Sequence, residues 1–155
     1  MWPFAKKHPP LEERESAGDY YSVIQGQFDG QPVFIRSRQL AKGWVRHPEL
    51  PIKLAFAIHY NNPRDDQIPE EEEWQQFTDI EDRLVEYVEG NIPCLYVMTI
   101  TNFQMNEFVF YSVQELDFAG LHKQAKSLIP SHEVQCIAEL EKRWESYQFF
   151  NSSRR

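Results

Sequence analysis

Residues 94–113 read CLYVMTITNFQMNEFVFYSV, and the architecture of the chain turns on them. Two runs rich in β-branched and aromatic residues, Cys94–Thr101 and Glu107–Val113, flank a polar turn at Asn102–Asn106. That arrangement predicts two sequential strands. In a regular strand Tyr96 and Met98 face one side and Leu95 and Val97 the other. Since all four are apolar, both faces of the sheet are expected to be covered.

Working upstream, Leu54, Phe56, Ile58 and Tyr60 alternate with Ala55, Ala57 and His59, which predicts a strand over Lys53–Tyr60 that Asn61-Asn62-Pro63 stops. Pro69 can open a helix, because its missing N–H would be unpaired there anyway. The acids Glu70, Glu71, Glu72 and Glu73 suit the positive end of that helix. Trp74, Phe77, Ile80, Leu84, Tyr87 and Val88 then recur at helical spacing, and Gly90 is a plausible terminator. Farther upstream, Tyr20–Phe28 and Gln31–Arg38 read as strands joined by Asp29-Gly30, a pair suited to the positive φ of a tight hairpin turn.

Downstream, Asp117 can cap a second helix, with Leu116 and Leu121 as a hydrophobic staple. Phe118, Leu121, His122, Ala125, Leu128 and Ile129 share a face, and Pro130 ends the helix. Val134–Leu140 is a sixth strand, and the aromatic stretch Trp144–Phe150 forms one or two helical turns. The order is β-β followed by β-α-β-β-α-β. This predicts an α+β, ferredoxin-like sandwich with an added N-terminal hairpin. The expected organisation is a polar arm over residues 1–18 with little packing, one domain over 19–150, and a short tail over 151–155. Two helices cover only one sheet face. The other face calls for the terminal aromatics, the hairpin or a second subunit.

With 155 residues, 41% of them hydrophobic and 26% charged, the composition is that of one globular domain. No apolar run reaches the roughly 20 residues a membrane helix needs, and no apolar segment follows Lys6 and Lys7 as a secretory signal would require. Only 2 cysteines, Cys94 and Cys136, argue against a disulfide scaffold and for a cytoplasmic protein. A net charge of −8 argues against nucleic acid as a partner. Acid is concentrated over residues 65–89, where Arg83 is the lone base. Arg36, Arg38, Lys42, Arg46 and Lys53 face only Glu49 over residues 36–53. This distribution reads either as a solvated helix beside a basic loop or as a polarised surface that steers a charged partner.

Gly30-Gln31-Pro32, Ile68-Pro69, Glu81-Asp82, Thr99, Phe110-Tyr111 and Trp144-Glu145-Ser146-Tyr147 together resemble an uncharacterised bacterial family, number 695 among the domains of unknown function. The likeness runs over about residues 20–150. The turn after Thr101 departs from it, with Phe103-Gln104-Met105 where a glycine is expected. The resemblance implies no known activity, and at fold level it suggests kinship with ferredoxin-like regulators of ribonuclease E.

No motif for a reaction stands out. The histidines do not fall at zinc- or calcium-site spacing, and no phosphate loop or nucleophile elbow is present, so no catalytic residue, cofactor or metal is expected. In a ferredoxin-like order, Cys94 and Cys136 lie on strands too far apart to bridge. Phe108-Val109-Phe110-Tyr111 lacks the basic and glycine parts of an RNA-binding strand, and core packing is its simpler reading. The candidate interaction residues are Arg36, Arg38, His59, Glu70–Glu73, Trp144 and Tyr147, with Trp144 and Tyr147 either plugging the core or anchoring a partner. These point to a non-catalytic binding or regulatory module that acts through protein–protein contact, with a homodimer among the arrangements open to it. Two alternatives remain: a small enzyme with a pocket near His59, Arg36 and Arg38, and an immunity-type inhibitor of a basic toxin or nuclease.

Overall fold

A computed structural model describes residues 8–152. The chain is of mixed α and β class, built on one six-stranded antiparallel sheet in the order β1-β2-β4-β5-β3-β6. The strands are β1 (Tyr21–Phe28), β2 (Gln31–Arg38), β3 (Ile52–His59), β4 (Cys94–Thr101), β5 (Met105–Ser112) and β6 (Val134–Leu140). The helices are α1 (Glu71–Asn91), α2 (Phe118–Leu128) and α3 (Glu145–Ser152). A 3₁₀ segment, Leu11–Ala17, precedes β1. Among the described residues no helix is long and apolar enough to cross a membrane.

The hairpin forms as its turn chemistry predicts. Asp29 and Gly30 both take positive φ, 53° and 78°, the combination of a two-residue primed turn. Its strands extend the sheet beyond β4 and so do not lie over either face. The sheet is therefore two strands wider than the four-stranded β-α-β-β-α-β pattern.

Both faces of the central strands are buried, each in its own core. On one side, Leu54, Phe56, Ile58, Phe108 and Phe110 pack against Phe77, Ile80, Leu84 and Val88 of α1 and Leu121 and Ala125 of α2. On the other, Ala55, Leu95, Val97, Val109 and Tyr111 pack against Trp44 and Leu50 of the β2–β3 connection and Trp144 and Tyr147 at the chain's end. Each such burial contributes about 1.5–3 kcal/mol, so the two layers hold the sheet jointly. The terminal aromatics thus cover the second face, and a loop with no strand or helix in it does so with them.

Several local expectations change. Met98 shares a face with Leu95 and Val97. Tyr96 pairs with Phe110 and Met98 with Val109, so Val97 is the extra residue of a β-bulge. β5 begins two residues early because Asn102 Oδ1 accepts the N–H groups of Gln104 and Met105, at 2.7 and 2.9 Å. This side-chain turn replaces the glycine expected after Thr101. The part of the polar arm from residue 8 to 18 packs: Ala17 is fully buried, its carbonyl accepts Ala41 N–H at 2.7 Å, and His8 Nδ1 lies 2.7 Å from Gly43 O. The rest of the arm, residues 1–7, and residues 153–155 of the tail lie outside the described residues.

Candidate functional site

The helix layer does not reach the hairpin, and this leaves a cleft. α1 forms one wall, while the helix-side faces of β1 and β2 form the floor. Residues with even numbers on β2, Phe34 and Arg36, point into it, as do Tyr21 and Val23 of β1. The cleft has two lobes of about 570 and 340 Å³ that share Arg36 and Glu81. One lobe carries Tyr21, Asp82, Glu86 and Tyr96. The other is more apolar, with Val23, Phe34, Ile68 and Trp74.

A hydrogen-bonded network joins the lobes. Glu81 Oε2 accepts from Arg36 Nη2, from the Tyr96 hydroxyl at 2.7 Å and from Thr99 Oγ1 at 3.5 Å, and the Tyr96 and Thr99 hydroxyls bond to each other. The Arg36 guanidinium also sits 4.9 Å from the Tyr21 ring centroid, a cation–π contact. Burial pushes the Tyr96 hydroxyl well above its ordinary pKa, although Thr99 and Arg36 pull the other way. Burial raises Tyr21 too, against Arg38 and Arg36. Both phenols are therefore neutral hydrogen-bonding groups at neutral pH.

Arg38 acts elsewhere. Only Phe34–Ser37 of β2 pair with β4, so the first half of β4 lacks a ladder on that side. The Arg38 side chain bridges the splay by donating to Gly18 O and, at 3.1 Å, to Tyr96 O. His59 lies on β3, separated from β2 by the two strands β4 and β5, and on the opposite face. The cluster of His59, Arg36 and Arg38 is not formed. His59 Nδ1 is buried with no hydrogen-bond partner among the described residues.

The acidic turn divides. Glu70, Glu71 and Glu72 are exposed, and Glu70 pairs with Arg64 at 2.9 Å. Glu73 is buried instead. It accepts Asn61 N–H at 2.6 Å, Asn62 N–H at 3.1 Å and His132 Nε2–H at 2.8 Å. Burial alone would raise its pKa, but the Asn61, His132 and Asn62 bonds outweigh it and hold the carboxyl below its ordinary value. Glu73 thus clamps the β3–α1 loop to the α2–β6 turn.

Trp144 and Tyr147 lie in the second core. Trp144 stacks on Tyr111 at 4.2 Å, and its Nε1–H donates to Leu50 O at 2.8 Å. The Tyr147 hydroxyl donates to Arg38 O. Glu141, which the residue pattern did not single out, holds this end together. It accepts from the Tyr111 hydroxyl at 2.7 Å and from Ser146 N–H and Oγ at 3.0 and 2.8 Å.

Cys94 and Cys136 are free, on strands separated by β5 and β3. Burial pushes the Cys136 thiol up to about 12 and Cys94 higher still, so neither is an activated nucleophile.

Sequence reasoning found Arg36 but not its partners. Glu81 and Thr99 entered only through the family resemblance, and Tyr96 read as a core residue. A turn-spaced helix carboxylate and a bulge-shifted hydroxyl carry no local signal that would have joined them.

No curated protein and no solved structure is detectably similar to the chain. The chain belongs to the family of unknown function DUF695, whose model matches residues 19–150.

Proposed function

We propose that the protein is a non-catalytic, cytoplasmic binding module that takes an extended segment of a partner protein into the cleft between α1 and the β1–β2 hairpin. The observation that carries this reading is an open edge beside open apolar seats. Among the described residues β1 pairs only with β2, and its sequence YSVIQGQF contains none of the charges or prolines that usually blunt an edge strand. Val23 is 72% exposed beside it, with Ile68 and Trp74 each more than a third exposed across the cleft. A strand added to β1 would gain main-chain hydrogen bonds there and set alternate side chains against these seats. Asp82 and Glu86 on the α1 rim favour a basic residue in that segment.

On the floor of the cleft Arg36, Glu81, Tyr96 and Thr99 bond to one another, which leaves the rim carboxylates Asp82 and Glu86 to meet a partner. The separation of His59 from Arg36 and Arg38 removes the support for an enzyme at that cluster. We read β4-β5-β3-β6 with α1 and α2 as a ferredoxin-like unit widened by the hairpin. The order of those four strands, and the α1 and α2 crossovers that link β3 to β4 and β5 to β6, support this reading. The widening makes the cleft, because it carries the sheet past the helices.

Photo-crosslinking from a benzoylphenylalanine at position 23, in cells of the native source, tests the proposal. The same group at position 137 on the opposite edge strand is the control. The reading expects one protein, crosslinked through one short segment, from position 23 only. Crosslinks to a second copy of this chain, or equal yields from both edges, would overturn it.

A further inference from the structure

The second face of the sheet carries a separate groove of about 530 Å³, within the roughly 300–1,000 Å³ usual for small-molecule sites. It lies between α3 and the ends of β2, β4 and β5. Phe28, Val33, Ile100 and Met105 make its walls apolar. Two charged side chains, Glu107 and Lys53, reach its floor, and they differ in one respect.

Lys53 is already matched: its Nζ lies 3.8 Å from Glu141 Oε2 and 3.2 Å from Ser146 Oγ. Glu107 makes no hydrogen bond or ion pair among the described residues. A half-buried carboxylate with no hydrogen-bond or ion-pair partner among the described residues, set in apolar walls, is an unusual expense for a fold unless something completes it.

We propose that this groove binds a small molecule carrying a protonated amine on an apolar body, with the amine pairing with Glu107 and the body lying against Phe28, Val33, Ile100 and Met105. The charges around the carboxylate agree with a cationic head. Glu139 shares the sheet face, Glu145 stands at the rim on α3, and Lys53, the one cation among the described residues that line the groove, is engaged by Glu141. His59 is on the same sheet face, two residues along β3 from Ala57, the partner of Glu107. Burial raises the Glu107 pKa, Lys53 lowers it and Glu139 raises it further, so an incoming ammonium relieves an existing cost. A fatty carboxylate of the same shape would meet the opposite balance.

Isothermal titration of the full chain with octylamine, 1-octanol and octanoate tests this, each kept below its aggregation concentration. Octylamine should bind saturably with one site, about tenfold or more tighter than either of the others, because a charge-assisted pair adds to the same apolar burial. Glu107→Gln should remove that advantage while circular dichroism and thermal melting show an intact fold. Ile100→Phe, which narrows the groove and keeps Glu107, should weaken octylamine and octanol together. Equal binding of the three probes, no saturable binding, or octylamine affinity unchanged in Glu107→Gln would each overturn the proposal.

Discussion

The hydroxyls of Tyr96 and Thr99 are hydrogen-bonded to each other although they lie three positions apart on one strand. A regular strand would send these side chains to opposite faces. The bulge at Val97 reverses the alternation and brings Thr99 to the helix side, where both hydroxyls meet Glu81. Deleting Val97, the extra residue, should therefore leave a regular ladder, with Met98 still opposite Val109 on the second face and Thr99 still opposite Phe108 on the helix side. The variant should keep one cooperative denaturation transition and lose about 1.5–3 kcal/mol, the burial of the Val97 side chain. Tyr96→Phe, by contrast, keeps the ring packing and loses one hydroxyl, and should cost about 1–2 kcal/mol in urea denaturation.

Trp144 is fully buried at a φ of 53°, an uncommon backbone conformation for a bulky residue. Its stack on Tyr111 and its bond to Leu50 O keep it there. Trp144→Ala should cost about 3–5 kcal/mol by denaturant titration. Trp144→Phe should cost less, since it forfeits the indole N–H but fills most of the space.

Glu73 and Glu141 set the acid limb of stability. Burial pushes each upward, yet hydrogen bonds from Asn61 and His132 on Glu73, and from Ser146 and Tyr111 on Glu141, leave both carboxyls below their ordinary pKa. A depressed folded pKa means the unfolded chain binds the proton more readily. The stability these groups contribute is present above the ordinary glutamate pKa of about 4.3 and is lost as pH falls through their folded values. The melting temperature should drop steeply below about pH 4. Glu73→Gln should flatten that slope and cost about 1–3 kcal/mol at neutral pH, because it leaves the buried donors poorly matched.

Glu107 carries the opposite sign. Its raised pKa means that the folded state holds the proton more tightly, so its contribution is full in acid and is lost as pH rises through the folded value. Glu107→Gln should raise the melting temperature at pH 7 and leave it nearly unchanged at pH 3.

Periodicity made the strands, α1, α2 and the hairpin legible, because alternation and helical spacing are local records of burial. The Asp117 cap was legible for the same reason, its side chain accepting Gly120 N–H at 3.1 Å. What escaped depends on distant partners. Trp44 and Leu50 sit in a connection without periodicity, and only the tertiary fold lays them over the second face. Glu73 is one acid among four in a row, and its burial depends on His132, far along the chain. Asn102 replaced the expected glycine with a side-chain acceptor. Arg36 was singled out as a charge, but its place over a cleft follows from the hairpin extending the sheet past α1.

Hydrogen exchange of the β1 amides, with and without the segment crosslinked from position 23, addresses the binding surface most directly. If a partner strand adds to this edge, the outward-facing amides of Tyr21–Phe28 should slow markedly while those of Val134–Leu140 keep their free-protein rates. Unchanged β1 rates in the saturated complex would contradict it.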